Sequence, residues 1–307
     1  MTAEPAASSS SFADLIALRA LPPAERSTDD HTAVYRSPAP PERFGRTYGG
    51  QFLAQAMAAA AAEVDDDRLP HSIHGVFLSA GALDTPLDYA VSTTRQGRSF
   101  SSFDVVAEQN GAVRFRALVS FHRPEPGLEW QAPPDVAPND LPRPEGLIDY
   151  VSFSAQHPDF DPSSWDGAVR PLEIRYIDPP DQPGGDPVTA PQRVWARVTG
   201  SIDGAADGAD WGHRAGLAYL SDSLLIDQAL LPHGFRWFDD RLTGASLDHA
   251  MWFHAPARAD EWVLYEQRVE ATGGARGLVT GRLYRPDGAL VATCAQEGLI
   301  RWRDNTS

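Results

Sequence analysis

The chain has 307 residues, of which 42% are hydrophobic and 22% are charged, as is usual for a globular protein. The formal net charge of −16 argues against nucleic acid as the main partner, because phosphate binding needs clustered Lys and Arg. No stretch approaches the roughly 20 apolar residues that span a bilayer, so we expect no membrane span. Cys294 is the only cysteine, and the first residues show no secretory signal pattern. We therefore expect a cytoplasmic protein.

The first half of the chain is predicted to contain one buried helix followed by antiparallel strands. Residues 1–10 have the composition of a frayed tail, residues 13–21 predict a short helix before Pro22, and residues 32–35 predict an edge strand. Residues 51–64 are rich in Ala, Leu and Met without Gly or Pro, which is typical of a helix surrounded by other protein. Strands are predicted at residues 73–78, 87–93, 101–109 and 113–122, with a tight hairpin at Asn110-Gly111.

The second half follows a stretch that is dense in proline. Residues 124–144 hold too many prolines for regular structure and predict a linker. Residues 211–231 have helical periodicity, and Asp287-Gly288 provides a second hairpin signal. Strands are predicted at residues 172–176, 193–198, 245–254, 262–269, 278–284 and 290–301.

The order of elements matches in the two halves, which indicates an internal duplication. Arg98 and Arg276 also fall at comparable distances before the paired hairpin turns. A mostly apolar helix followed by a curved antiparallel sheet favours an α+β fold in which the sheet wraps the helix, the hotdog fold. We therefore predict a double hotdog, with two antiparallel sheets each wrapping a long central helix. The predicted division is an N-terminal hotdog at 1–123, a Pro-rich linker at 124–170, and a C-terminal hotdog at 171–307.

Six segments, taken in chain order, match a known family. They are YGGQFLAQAMAAA (48–60), HSIHGVFL (71–78), QGRSFSSFDVVAEQNG (96–111), YLSDSLL (219–225), SLDHAMWFH (246–254) and QEGLIR (296–301). Together they resemble the type II acyl-CoA thioesterases, the medium-chain, TesB-like family, and the resemblance covers nearly the whole chain. It implies an enzyme without a cofactor that hydrolyses fatty acyl-CoA to free fatty acid and CoA. With the exposed edges of the predicted sheets, family precedent also favours a homodimer or homotetramer.

The resemblance also implies a catalytic trio in the second half: an acid in the helix, a hydroxyl in the next strand and a glutamine in the last strand. Carried over position by position, these are Asp222, Ser246 and Gln296. The family often has Thr where this chain has Ser246, a change that keeps the hydroxyl donor. The family's RPG segment after VFL is replaced here by Ser79-Ala80-Gly81-Ala82, so acyl-chain-length specificity does not transfer.

Thioester hydrolysis requires an activated water, a held carbonyl and donors for the developing oxyanion. The sequence lacks G-x-S-x-G, H-E-x-x-H and paired C-x-x-C motifs, and Cys294 has no neighbouring His, so covalent and metal mechanisms are poorly supported. A carboxylate that deprotonates water directly remains. Asp222 suits this role because it interrupts an apolar helix, where burial would raise its pKa. We expect Ser246 to donate to the water or the carboxylate, and Gln296 to orient the water through its amide.

Other polar positions are weaker candidates. Arg276 and Gly277 resemble the family's loop before a strand and are predicted to meet a CoA phosphate; a solvated loop arginine is the alternative. On the predicted strand 245–254, Asp248 shares a face with the proposed hydroxyl and is a rival acid. His249 faces the other way and is predicted to be structural.

Two other functions stay open at this point. Hotdog hydratases carry a His five residues after the catalytic Asp, whereas the fifth residue after Asp222 is Asp227, which disfavours dehydration chemistry. A non-catalytic acyl-CoA-binding sensor is the second alternative. A sensor has no need of all three polar positions, so their presence favours the enzyme.

Overall fold

In the computed structural model, the residues described are 11–22, 32–38, 45–65, 67–83, 85–156, 170–179, 186–202, 210–236 and 241–303. The predicted frayed tail at residues 1–10 lies outside them. No helix within these ranges is long and apolar enough to cross a membrane. In chain order, their helices and strands are α1 (Phe12–Ile16), β1 (Arg19–Ala20), β2 (Ala33–Arg36), α2 (Gly49–Ala61), β3 (Leu69–Phe77), β4 (Asp88–Gln96), β5 (Phe100–Gln109), β6 (Ala112–His122), α3 (Tyr150–Ser154), β7 (Leu172–Tyr176), β8 (Gln192–Val198), α4 (Asp210–Ser221), β9 (Leu242–Ser246), β10 (Asp248–Phe253), β11 (Val263–Gly273), β12 (Arg276–Tyr284) and β13 (Leu290–Trp302).

All these strands join one antiparallel sheet. Its order is β1-β2-β4-β5-β6-β3-β10-β13-β12-β11-β8-β7, and β9 pairs separately with β13. The two halves meet where β3 pairs with β10, with His249 opposite Gly75 and Met251 opposite Ile73. The predicted two sheets are thus one continuous sheet, because the edge strand of each half hydrogen-bonds to that of the other. On either side of this junction the strand order 4-5-6-3 mirrors the order 11-12-13-10.

The longest helix, α2, lies in the core. It packs against α4 and against β3, β4, β5 and β6. Eleven of its 13 residues are buried, which its run of alanines allows because small side chains let neighbouring elements approach closely. The helix begins at Gly49-Gly50 after Tyr48, whose side chain makes no capping hydrogen bond. The first N–H groups of α2 therefore need partners from elsewhere.

Three predicted elements differ from the observed ones. The predicted helix at 13–21 stops at Ile16, and Arg19 instead pairs with Arg36 in the sheet. The predicted helix at 211–231 ends at Ser221, and short 3₁₀ turns follow it. The predicted strand at 245–254 is two strands, β9 and β10, interrupted at Leu247, whose N–H and C=O both bond to neighbouring strands.

The predicted linker at 124–170 includes a short helix, α3. Its first part is irregular, and Gln131 attaches it to the β12–β13 hairpin by hydrogen bonds to Gly288 O and Leu290 N. Farther along, α3 packs onto β7 through the rings of Phe153 and Tyr176. That helix therefore packs with the second half of the molecule. Residues 157–169 of the predicted linker lie outside the described ranges.

Candidate active site

The structure brings Asp222, Ser246 and Gln296 together, although they come from three separate elements. Asp222 is the first residue after α4, Ser246 ends β9, and Gln296 lies in the middle of β13. Gln296 Nε2 donates to Asp222 Oδ1 at 2.8 Å and to Ser246 Oγ at 2.7 Å. Gln296 is fully buried, and it fixes the carboxylate and the hydroxyl of two residues that are only partly buried.

A fourth group in this cluster comes from the other half of the chain. The backbone N–H of Gly50, in the first turn of α2, donates to Asp222 Oδ2 at 3.0 Å. A helix N-terminus carries partial positive charge and unpaired N–H groups, so it stabilises a carboxylate. The approach requires glycine: a Cβ at Gly49 would lie 2.6 Å from Asp222 Oδ2, and one at Gly50 would lie 2.2 Å from Tyr219 O. The Gly-Gly pair therefore lets the helix end contact the acid.

Burial and hydrogen bonding act on the acid in opposite directions. Burial raises the pKa of Asp222 above its ordinary value, although the hydrogen bonds from Gln296 and Gly50 and the charges of Arg170 and Arg46 oppose this shift. A raised pKa makes the carboxylate a stronger base than an ordinary aspartate. The cluster therefore holds a carboxylate whose basicity is increased.

The side-chain oxygen of Gln296 can accept a further hydrogen bond. This atom, Oε1, is buried and accepts no hydrogen bond from any residue that the structure describes. A buried acceptor without a partner is costly unless a ligand or water satisfies it. Because Gln296 Nε2 already donates to Ser246 Oγ, the serine hydroxyl keeps its own proton for donation.

The other predicted site residues lie apart from this cluster. Arg276 is half-exposed, and its Nε donates to Glu297 Oε1 at 2.9 Å. Gly277 lies in close packing, where a Cβ would come within 2.5 Å of the Ala229 Cβ. Neither Arg276 nor Gly277 hydrogen-bonds to the cluster within the described part of the chain. Their role in phosphate binding stays a prediction.

Asp248 is not placed as a rival acid. The interruption at Leu247 separates it from β9, and its exposed carboxylate accepts from Glu297 N at 2.8 Å. The prediction that it shares a strand face with Ser246 assumed one continuous strand, which the structure divides at Leu247. His249 is fully buried and hydrogen-bonds to Ser221 Oγ at 3.0 Å. Burial lowers its pKa to about 3, so it is neutral.

Asp222 also differs from its predicted setting, since it follows the helix instead of interrupting it. Sequence reasoning missed Gly50 as a site residue. The signal available for it was the Gly-Gly pair at the start of an alanine-rich helix, where a close backbone approach is common. No group of three or more His, Cys, Asp or Glu side chains arranged to hold a metal ion occurs among the described residues.

Comparison with known proteins places this chain in a family. Two family models match the chain: the acyl-CoA thioesterase N-terminal domain at residues 37–122 and the acyl-CoA thioesterase C-terminal domain at residues 147–300. Acyl-coenzyme A thioesterase 8 of Mus musculus is 39% identical over 268 residues, which cover 85% of this chain and 82% of that protein.

Solved structures agree with the sequence comparison. An acyl-CoA thioesterase II from Mycobacterium marinum aligns with a TM-score of 0.72 at 30% identity, covering 96% of this chain and 99% of that one. A hotdog-fold protein from Alicyclobacillus acidocaldarius aligns with a TM-score of 0.69 at 19% identity, covering 95% and 98%, and supports the fold alone. The large antiparallel sheet is thus a hotdog-type sheet, and the chain belongs to the type II acyl-CoA thioesterase family.

Proposed function

We propose that this protein hydrolyses fatty acyl-CoA thioesters to free fatty acid and CoA, with Asp222 as the base that activates water. The observation that supports this most strongly is the convergence of a carboxylate, a hydroxyl and a buried amide at one point. Ser246 and Gln296 orient the water, and the carboxylate of Asp222 accepts its proton. The water oxygen attacks the thioester carbonyl, the resulting tetrahedral intermediate collapses with cleavage of the carbon–sulfur bond, and the proton that Asp222 accepted passes to the departing sulfur of CoA.

The first turn of α2 stabilises the charge that develops in this reaction. Gly50 N–H already binds the carboxylate, so the thioester carbonyl next to Asp222 also lies near the positive end of the helix dipole. Arg46 and Arg170 add positive charge near the acid, since the charge of each acts to lower the pKa of the Asp222 carboxyl. This local charge favours a polyanionic CoA ester on a chain whose net charge is −16.

Release of free thiol from acyl-CoAs of several chain lengths tests the proposal. Asp222→Asn should lower kcat by roughly 10²- to 10⁴-fold, the usual contribution of a general base, while circular dichroism stays unchanged. Asp248→Asn is the matched control. It neutralises an exposed carboxylate at the start of β10, which accepts from the backbone N–H of Glu297, and it should keep wild-type kcat. Full activity in Asp222→Asn would exclude this base. A wild type that binds acyl-CoA without releasing thiol would favour the sensor.

The architecture of the two halves is part of the proposal. We infer a double hotdog, with residues 1–123 and 171–307 as the two units, α2 and α4 as their central helices, and residues 124–170 between them. The mirrored strand order on either side of the β3–β10 junction supports this. Within the connecting segment, α3 packs on β7 through Phe153 and Tyr176, and the second family model begins at residue 147.

We also propose that the enzyme acts in the cytoplasm as a homodimer or homotetramer. A single buried cysteine suits a reducing compartment. The outer face of the sheet carries several large apolar side chains that are 38–48% exposed, which favours contact with a second copy. These exposed apolar side chains are Val76, Leu118, Trp252 and Leu278. Light scattering after size-exclusion chromatography tests this assembly.

A further inference from the structure

We propose that Tyr265 and Gln267 of β11 are positioning residues for the reaction, because they fix the main chain on both sides of Asp222. Tyr265 Oη donates to Ser221 O at 2.6 Å, and Gln267 Nε2 donates to Ser223 O at 2.9 Å. These are the two carbonyls that flank the acid in the chain. Residues two apart on a strand point to the same face, so a single strand provides both donors. The inference rests on the proposed function, in which Asp222 is the base.

The segment around the acid needs such support. The last carbonyl groups of α4 have no partners within the helix, and the chain turns immediately after Ser221. Leu224 adopts a left-handed conformation with a φ of 61°, which is unfavourable for leucine and persists where the surroundings impose it. A turn of this kind would shift if its hydrogen bonds were lost.

Gln267 is itself held by a buried chain of glutamines. Gln228 Nε2 donates to Gln267 Oε1 at 3.1 Å and to Gln192 Oε1 at 2.7 Å, and it also reaches Leu224 O at 3.2 Å. All three glutamine side chains are buried. Because the oxygen of Gln267 faces Gln228, its amide nitrogen must face Ser223. The orientation of the positioning donor is therefore determined by its neighbours.

The opposite side of the turn is held by the first half of the chain. Tyr48 Oη donates to Tyr219 O at 2.9 Å and shares a hydrogen bond of 2.5 Å with Ser223 Oγ. Tyr48 directly precedes α2, whose Gly50 N–H binds the carboxylate. The turn is thus fixed to β11 on one side and to the start of α2 on the other. Loss of the β11 contacts would let the carboxylate move away from its two donors.

A purely structural role would be to satisfy the carbonyl groups of a buried helix end. That role predicts a lower stability but an unchanged kcat for each folded molecule. Positioning predicts a loss of kcat at nearly constant KM, because a displacement of about 1 Å at the base can cost on the order of 10²-fold. It also predicts a change in the pH profile, since the hydrogen bonds that favour the ionised carboxylate would weaken.

Kinetics of Gln267→Met, normalised to folded protein, test the inference. We expect kcat to fall by roughly 10- to 100-fold with KM within about twofold, and the acidic limb of kcat/KM to move to higher pH. Tyr265→Phe removes one hydroxyl and is the second variant if Gln267→Met does not fold. Tyr89→Phe is the matched control, because Tyr89 is equally buried and donates to Gln55 in the first half. It should keep wild-type kcat.

Introducing Gln267→Met into Asp222→Asn makes the test sharper. If Gln267 acts through the acid, the residual rate of the double variant should equal that of Asp222→Asn. Wild-type kcat and pH profile in both Gln267→Met and Tyr265→Phe would overturn this inference alone, provided that Asp222→Asn is inactive. Absence of thiol release by the wild type would instead overturn the proposed function.

Discussion

Burial of Asp222 and the proposed catalytic role of its carboxylate favour different protonation states. Its carboxylate is desolvated, which disfavours the ionised form, yet catalysis as proposed requires that form. The donors at Gln296 and Gly50 recover part of the cost. The residue is therefore a place where activity and stability make different requirements on one side chain.

The activity should depend on pH in a direction set by this carboxyl. Because burial raises its pKa, Asp222 takes up a proton at a higher pH than an ordinary aspartate. We expect kcat/KM to fall as the pH falls through this raised pKa, so the acidic limb should lie above about 3.9, the ordinary value. Rates measured from pH 3 to pH 8 with one acyl-CoA test this. A plateau that continues below pH 4 in folded enzyme would contradict it.

Stability should respond to the same group with the opposite sign. A carboxyl whose pKa is raised in the folded state stabilises the fold below its unfolded pKa, and this contribution is lost as the pH rises through the folded pKa. Asp222→Asn should therefore unfold at a higher temperature than wild type at pH 7, because Gln296 can rotate its amide to pair with the new side chain. The difference should vanish below about pH 3.9. Calorimetry across this range measures it, and a less stable variant at pH 7 would count against the burial argument.

Among the elements, the start of α2 has a strict steric requirement. Gly50→Ala would place a Cβ 2.2 Å from Tyr219 O and 2.5 Å from a ring carbon of Tyr48. We expect it to destabilise the protein by about 1–3 kcal/mol, as overpacking does, and to lower kcat because the helix end moves from the acid. Urea unfolding and thiol release measure the two effects.

Gly273→Ala is the control for this substitution. Its Cβ would meet nothing within 4 Å, and its φ is not positive. It should change stability by no more than about 0.5 kcal/mol. An equal loss of stability in Gly50→Ala and Gly273→Ala would show that replacing any glycine in a helix or strand has this effect. The steric contact at the start of α2 would then not be its cause.

The sequence predicts the elements better than their ends. The helix at 51–64 and the hairpin at Asn110-Gly111 were predicted from local pattern, and both hairpin residues do have positive φ. The end of α4 could not be predicted, because the apolar periodicity continues through the 3₁₀ turns. The turn after the helix accepts hydrogen bonds from β11, whose donors lie 44 residues further along the chain than their acceptors.

The candidate site could also be predicted only in part. Asp222, Ser246 and Gln296 were identified by family resemblance, and no spacing rule would have grouped them. The contact with Gly50 spans 172 residues and depends on how α2 packs against α4, which local pattern does not contain. The split of the predicted strand at Leu247 was missed for a related reason, since its N–H and C=O bond to two different strands.

On the scale of the whole molecule, the continuous sheet should unfold as a unit. Cys294 lies in β13, opposite Met251 of β10 and Gly281 of β12, and is fully buried. Burial raises the pKa of its thiol to about 12, so we expect no reaction with a disulfide reagent in the native state. In urea, labelling should follow the same midpoint as the fluorescence of buried Trp195. Rapid labelling of native protein, or separate midpoints, would contradict this.

The contact between Gly50 and Asp222 also constrains how such a chain can change over generations. One half supplies the acid and the other supplies an amide that binds it, so the two halves are no longer interchangeable. A break in the gene between them would yield two polypeptides, neither of which holds all the groups of the proposed active site. A substitution that shifts α2 along α4 would likewise be selected against if it impairs the reaction, even when it barely changes the stability of the fold. Selection therefore acts on the pair as a single inherited unit.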